Sequence, residues 1–200
     1  MRKWVLTVAA ALILLAGCQR EADIYGTGES AFDSDIQQEA TLAPTLKPEE
    51  SNFRNLRWGM TEEEVIATEG AGYERVDQSA IRYTRIREEE YPADAEYTFT
   101  DDALSGAMFF IQPGYEDKNE YIRNYADLIQ RFTQRYGEPM HSSKDWSSEN
   151  LEDQPELYAQ AVLDGNLIWR TEWENQDTAI KLVLSRRGTD ICIGIKYDPV

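Results

Sequence analysis

Few side chains in this chain combine the type and spacing that enzyme chemistry needs. The single histidine, His141, precedes two serines, so a hydrolytic site that uses His141 with Ser142 or Cys192 is one hypothesis. The absence of a Gly-x-Ser-x-Gly elbow favours a solvated loop around His141 instead. Cys192 lies between Ile191 and Ile193 with no cation beside it to lower its pKa, which favours a packed structural cysteine. The sequence therefore predicts no enzyme.

Metal and cofactor sites are not predicted either. One histidine and one cysteine of the C-terminal half cannot form a zinc tetrad. The acidic runs Glu62–Glu64, Glu88–Glu90 and Asp101-Asp102 are contiguous, so their side chains diverge, and we expect solvated faces. Gly70 and Gly72 follow a predicted helix rather than precede one, which is the wrong polarity for a phosphate loop.

Tryptophans form a second group of candidate site residues. Trp169 and Trp173 share one face of a predicted strand, and with Trp58 they could form a platform that stacks on sugars. The opposite face of that strand is nearly all charged, which favours a core position for Trp169 and Trp173 under the helix predicted over Glu120–Tyr136.

One predicted strand, Leu104–Gln112, is apolar on both faces. A strand in a sheet that helices cover on one side should have one face in water. Either another part of the chain covers the second face, or this face binds a partner. The candidate interaction residues are Met108, Phe109, Phe110, Ile111, Trp169 and Trp173.

The N-terminus begins with the basic pair Arg2 and Lys3, followed by the uncharged, mostly apolar run Trp4–Leu15. This pattern is typical of export signal peptides, and the run is shorter than the roughly 20 residues of a membrane-spanning helix. The next residues, Leu15-Ala16-Gly17-Cys18, resemble the lipobox of bacterial lipoprotein precursors. The resemblance implies removal of residues 1–17 and attachment of acyl chains such as palmitate to Cys18.

A lipid on Cys18 would place the protein outside the cytoplasm and anchor it to a membrane. Two acyl chains give stable anchoring where one binds only marginally. The cell membrane and, in a Gram-negative host, the outer membrane both remain open. Cys192 would be the only free thiol, so no internal disulfide is predicted.

Residues 18–52 are predicted to be a flexible acidic tether behind the lipid. The stretch from Gln19 to Asn52 carries eight Asp and Glu against two Lys and Arg and has no sustained periodicity. The whole chain has a formal charge of −17, and an acidic surface repels phosphate backbones. We therefore expect no nucleic-acid partner.

Residues 53–200 are predicted to form one α+β domain of two successive units, about 53–114 and 115–200. Each unit begins with a helix, which a capping box at Thr61 and Glu64 marks in the first unit. An antiparallel meander follows each helix, and we expect the helices to pack on one face of the sheet. The predicted strands are Ile81–Arg87, Glu96–Thr100, Leu104–Gln112, Leu157–Leu163, Leu167–Glu174, Thr178–Ser185 and Asp190–Tyr197, with an Asp164-Gly165 hairpin turn and a polar loop at His141–Asn150.

The helix-then-meander repeat resembles the small lipoprotein of the bacterial barrel-assembly machinery and the tandem-repeat β-lactamase inhibitor protein. The string Phe53…Trp58-Gly59-Met60-Thr61…Glu64-Val65 is similar to the opening of many bacterial lipoprotein domains. Both named groups act by binding other proteins, so the resemblance implies a non-enzymatic protein-binding or envelope-assembly module. A carbohydrate- or peptidoglycan-binding lipoprotein that uses surface tryptophans is the alternative.

Overall fold

A computed structural model describes residues 51–147 and 151–200. The predicted signal peptide, Cys18 and nearly all of the predicted tether lie outside the described residues. The described chain combines one antiparallel eight-stranded sheet with three α-helices, which confirms the predicted α+β class. No helix in these two ranges is long and apolar enough to cross a membrane.

The elements follow one another in two runs that each begin with a helix and contain four strands, and the second run has a further helix after its first strand. The helices are α1 (Glu62–Glu69), α2 (Asn119–Tyr136) and α3 (Tyr158–Leu163), which a short 3₁₀ helix, Pro155–Leu157, precedes. The strands of the first run are β1 (Tyr73–Arg75), β2 (Ala80–Glu88), β3 (Tyr91–Thr100) and β4 (Ala103–Ile111). Those of the second run are β5 (His141–Trp146), β6 (Leu167–Glu174), β7 (Thr178–Arg187) and β8 (Asp190–Pro199).

The strand order across the sheet is β1-β2-β3-β4-β8-β7-β6-β5. The last strand of each run lies at the centre, where β4 and β8 pair antiparallel with Phe109 opposite Ile195. The two meanders therefore meet through their final strands, and the short β1 and the polar β5 form the edges.

Helix α1 begins where its capping box predicts. The Glu64 backbone N–H donates to Thr61 Oγ1 at 3.3 Å, and the Thr61 N–H donates to Glu64 Oε2 at 2.9 Å. Gly70 ends the helix with φ +96°. Val65 is the one residue of α1 that is buried, so burial alone provides little stabilisation for this helix.

Helix α2 forms where a helix was predicted over Glu120–Tyr136. Its buried residues are Tyr121, Tyr125, Leu128 and Phe132, and Gly137 follows its last turn. The Tyr125 ring lies 5.1 Å from that of Trp169 and the Phe132 ring 5.4 Å from that of Trp173. These contacts join α2 to β6.

The prediction for residues 141–165 is wrong in three places. In place of the predicted strand Leu157–Leu163, Leu157 ends the 3₁₀ helix and residues 158–163 form α3. Asp164-Gly165 follows that helix and does not turn a hairpin. On the side away from β7, β6 pairs with β5, which lies in the stretch predicted as a polar loop. Short apolar runs are ambiguous between strand and helix, and here burial at helical spacing decides. The buried positions of α3 are Tyr158, Ala159, Ala161 and Val162.

Alternation along the strands divides the side chains between two faces of the sheet. We name the faces after Phe109 and Met108. A buried row on the Phe109 face runs across five strands through Ala95, Phe109, Ile195, Leu182 and Thr171. The matching row on the Met108 face, which is half-buried or exposed, comprises Glu96, Met108, Lys196, Lys181 and Glu172.

Candidate functional site

The centre of the Met108 face is apolar although its surroundings are charged. Met108 and Phe110 are half-buried there, and Val183 is half-buried beside them. A Cβ on Gly194 would lie 3.2 Å from Met108 Cε, so the missing side chain lets the methionine lie across β8. The Arg187 guanidinium carbon is 4.0 Å from the centroid of the Phe110 ring, within cation–π distance.

Ion pairs surround this apolar centre on the same face. Arg82 Nη2 lies 2.7 Å from Glu96 Oε2, and Lys181 Nζ lies 2.8 Å from Glu172 Oε1. Arg170 pairs with Asp145 farther out. Such exposed pairs contribute little to stability, about 0–1 kcal/mol each. Their arrangement, an apolar centre inside a charged rim, is that of many protein interfaces.

The structure divides the predicted interaction residues between the two faces. Met108 and Phe110 reach the surface of the Met108 face. Phe109, Ile111 and Trp173 are at most 2% exposed and belong to the core, so they form no surface for a partner. These three side chains are buried by other parts of the domain itself.

The tryptophans are engaged inside the domain. Trp169 is half-buried on the Phe109 face, and Lys144 Nζ lies 4.3 Å from the centroid of its ring. The Trp58 indole N–H donates to Thr178 Oγ1 at 3.0 Å. No two of these rings stand side by side as an open platform within the described ranges, because each packs against a different neighbour.

The structure separates the residues of the hydrolase hypothesis. His141 is exposed on β5, whereas Cys192 is buried on β8, three strand positions away and hence about 14 Å across the sheet. Burial raises the pKa of the Cys192 thiol to about 11, so it is protonated at neutral pH. The Ser142 hydroxyl contacts Thr171 Oγ1 at 3.3 Å and no imidazole.

A buried ion-pair cluster is the feature that the sequence did not predict. Glu88, expected on a solvated face, is 4% exposed. Its Oε2 lies 2.7 Å from Arg54 Nη1, and its Oε1 accepts a hydrogen bond from the Tyr197 hydroxyl at 3.3 Å. Arg54 also donates to both carboxylate oxygens of Glu69, at 2.7 and 2.8 Å. Burial raises the pKa of Glu88, and the Arg54 cation offsets part of that shift.

This cluster lines one wall of a cavity of about 720 Å³. The other wall comes from the second run of elements, with Tyr136, Asn175 and Arg135, which pairs with Glu89. Both arginines of the cavity are already paired with carboxylates. The cluster therefore joins Arg54 to α1 and to the end of β2, the Arg135–Glu89 pair joins the β2–β3 hairpin to α2, and we assign both a structural role.

No sequence signal indicated this cluster, because Arg54 is 34 residues from Glu88 and belongs to no motif. Three or more His, Cys, Asp or Glu side chains do not come together as a metal site anywhere in the part of the chain that the structure describes. Comparisons with protein-family models, with curated proteins and with solved structures found no match to this chain.

Proposed function

We propose that this protein is an exported lipoprotein, anchored through Cys18, that binds an extracytoplasmic envelope protein through the Met108 face without catalysing a reaction. The lipobox resemblance supports the anchor, and the acidic stretch behind it supports a domain that stands clear of the membrane. The observation that supports this binding site is the apolar centre around Met108 and Phe110 on an otherwise charged face.

The placement of the helices supports this choice of face. Val65 of α1 lies in the core, Tyr125 of α2 hydrogen-bonds to Thr171, and Tyr158 of α3 packs edge-to-face against Trp146 of β5. Each contact involves the Phe109 face. We propose that the three helices all cover that face and leave the Met108 face to a partner.

The same contacts favour protein over carbohydrate as the ligand. Sugar-binding platforms need aromatic rings that are open to solvent, and the candidate rings here are buried, hydrogen-bonded or covered by a lysine. Met108 and Phe110 instead offer flexible and aromatic apolar surface, which is enriched at protein interfaces.

In-cell crosslinking of the anchored protein, followed by mass spectrometry, tests the proposal. We expect one near-stoichiometric protein partner for the wild type and for Met140→Glu, which changes an exposed methionine elsewhere. Met108→Glu should lose the partner while keeping its circular dichroism spectrum, and Cys18→Ala should lose both membrane attachment and the partner. Recovery of peptidoglycan fragments alone, or an unchanged partner yield with Met108→Glu, would contradict the proposal.

A further inference from the structure

The Met108 face carries two arginines without ion pairs in a chain whose arginines are mostly paired. Within the described residues Arg85 and Arg187 form no salt bridge, although the sequence has 37 acidic residues against 20 basic ones. Arg57, Arg87 and Arg186 also form no salt bridge within these ranges, so what distinguishes Arg85 and Arg187 is that both lie beside Phe110. The arginines that do pair with carboxylates are Arg54, Arg75, Arg82, Arg123, Arg131, Arg135 and Arg170.

A hollow of about 230 Å³ lies beside Arg85 and Phe110, and we call it the arginine pocket. Arg85 lines it, and Arg187 stacks on the Phe110 ring that also lines it. A volume of this size accommodates one or two side chains. The remaining lining residues are Pro92, Ala93, Asp94 and Gln112.

Hydrogen bonds hold both sides of the arginine pocket in place. The backbone N–H of Arg85, in the bulge of β2, donates to Asp94 Oδ1 at 3.1 Å, so the one carboxylate of the lining is engaged. Gln112 Nε2 donates to the Arg187 carbonyl oxygen at 3.1 Å. The guanidinium groups remain available to an incoming anion, because neither has a carboxylate partner in the described chain.

We infer that the arginine pocket binds an acidic segment of the partner protein, with an apolar side chain against Phe110 and Pro92 and a carboxylate at Arg85 and Arg187. The inference rests on the proposed use of the Met108 face and names the chemistry of the partner there. A guanidinium recognises a carboxylate through two parallel hydrogen bonds, and the apolar floor selects the neighbouring side chain.

The charge of the rest of the chain favours an acidic protein segment over an anionic membrane surface. Screening limits exposed charges to a range of about 8 Å at physiological salt. A short segment in the pocket therefore interacts mainly with the charges beside it, which are Arg85, Arg187 and the Asp94 carboxylate that already accepts a backbone hydrogen bond. An extended anionic membrane would also face the acidic side chains around the pocket, in a chain of net charge −17.

Fluorescence anisotropy with the purified full-length protein tests the inference. The probe is a labelled acidic peptide, EEFDEF, and its neutral counterpart QQFNQF is the control. We expect the protein to bind the acidic peptide more tightly, and higher salt should weaken that binding. Arg85→Gln and Arg187→Gln should each weaken it about fivefold, the upper range for one exposed charge pair. Arg57→Gln, at an exposed arginine that also lacks an ion pair, should leave it unchanged.

Equal binding of both peptides, no binding of the acidic peptide, or an equal loss with Arg57→Gln would overturn the inference. Vesicles that contain phosphatidylglycerol form a further arm. Binding to vesicles that Arg187→Gln abolishes, without peptide binding, would assign the pocket to lipid headgroups instead. If in-cell crosslinking still recovers the partner with both pocket variants but not with Met108→Glu, the inference fails while the proposed function stands.

Discussion

Helices α1 and α2 occupy equivalent places in the two runs of elements, but different forces hold them. The long helix α2 buries four large side chains and has no side-chain cap at its N-terminus. The short helix α1 buries only Val65 and is held by polar contacts at both ends. Its N-terminus has the capping box, and its last residue, Glu69, binds Arg54.

The difference shows how much of a helix depends on residues outside it. Burial of apolar area scales with the length of an amphipathic stripe, so α2 has most of what it needs within its own sequence. Helix α1 is too short to be stabilised by burial of its own apolar residues, and contacts with distant residues stabilise it. The hydroxyl of Tyr83 donates to the Gly70 carbonyl oxygen at 2.9 Å, and Arg75 pairs with Glu62.

The largest effect is expected from Phe132→Ala in α2. Phe132 is fully buried and its ring packs 5.4 Å from that of Trp173, so its truncation leaves a cavity. We expect a loss of about 3–5 kcal/mol in the free energy of unfolding, measured by urea denaturation. Gln134→Ala, at an exposed position of the same helix, is the control. A loss below about 1 kcal/mol would show that packing does not dominate α2.

A smaller loss, about 3 kcal/mol at neutral pH, is expected from Arg54→Ala, because it leaves the buried carboxylate of Glu88 without its cation. The same denaturation experiment measures it, with Arg57→Ala as an exposed control. In Arg54→Ala, helix α1 should lose protection from amide hydrogen exchange before α2 does, because Glu69 at the end of α1 also loses its contact with Arg54.

The pH dependence of this loss follows from the raised pKa of Glu88. A carboxyl whose pKa is higher in the folded state binds more protons there, so the folded state gains stability as pH falls toward the unfolded pKa, about 4.3. Without Arg54 the folded pKa of Glu88 rises further. The stability deficit of Arg54→Ala should therefore shrink on acidification and reach its full size at a pH above the folded pKa of Glu88 in both proteins. A stability deficit that does not change with pH would contradict the role of Glu88.

The smallest effect is expected from Thr61→Ala, which removes the capping hydroxyl of α1. We expect a loss of about 1 kcal/mol in the free energy of unfolding, whereas Thr61→Ser should keep most of the stability. Equal stability of the alanine variant would mean that the contacts of Arg54, Arg75 and Tyr83 hold α1 without its cap.

The sequence predictions were accurate for features that depend on neighbouring residues and inaccurate for features that depend on distant ones. The start of α1 and the helix over Glu120–Tyr136 were predicted correctly, because the signal for each lies within the element that it specifies. The run over 157–163 was wrong because its composition suits either a helix or a buried strand. The outer partner of β6, strand β5, was also missed, because an edge strand as polar as His141–Trp146 carries no apolar alternation.

For the candidate site, the sequence by itself determined that the strand around Met108 is apolar on both faces, since alternation is a local property. It also carries the lipobox at Cys18, which stays a prediction because it lies outside the described residues. Only the tertiary structure decided which face is buried, that Glu88 lies in the core, and that Arg85 and Arg187 both lie beside Phe110. Those outcomes depend on residues far apart in the chain, whose proximity no local pattern specifies.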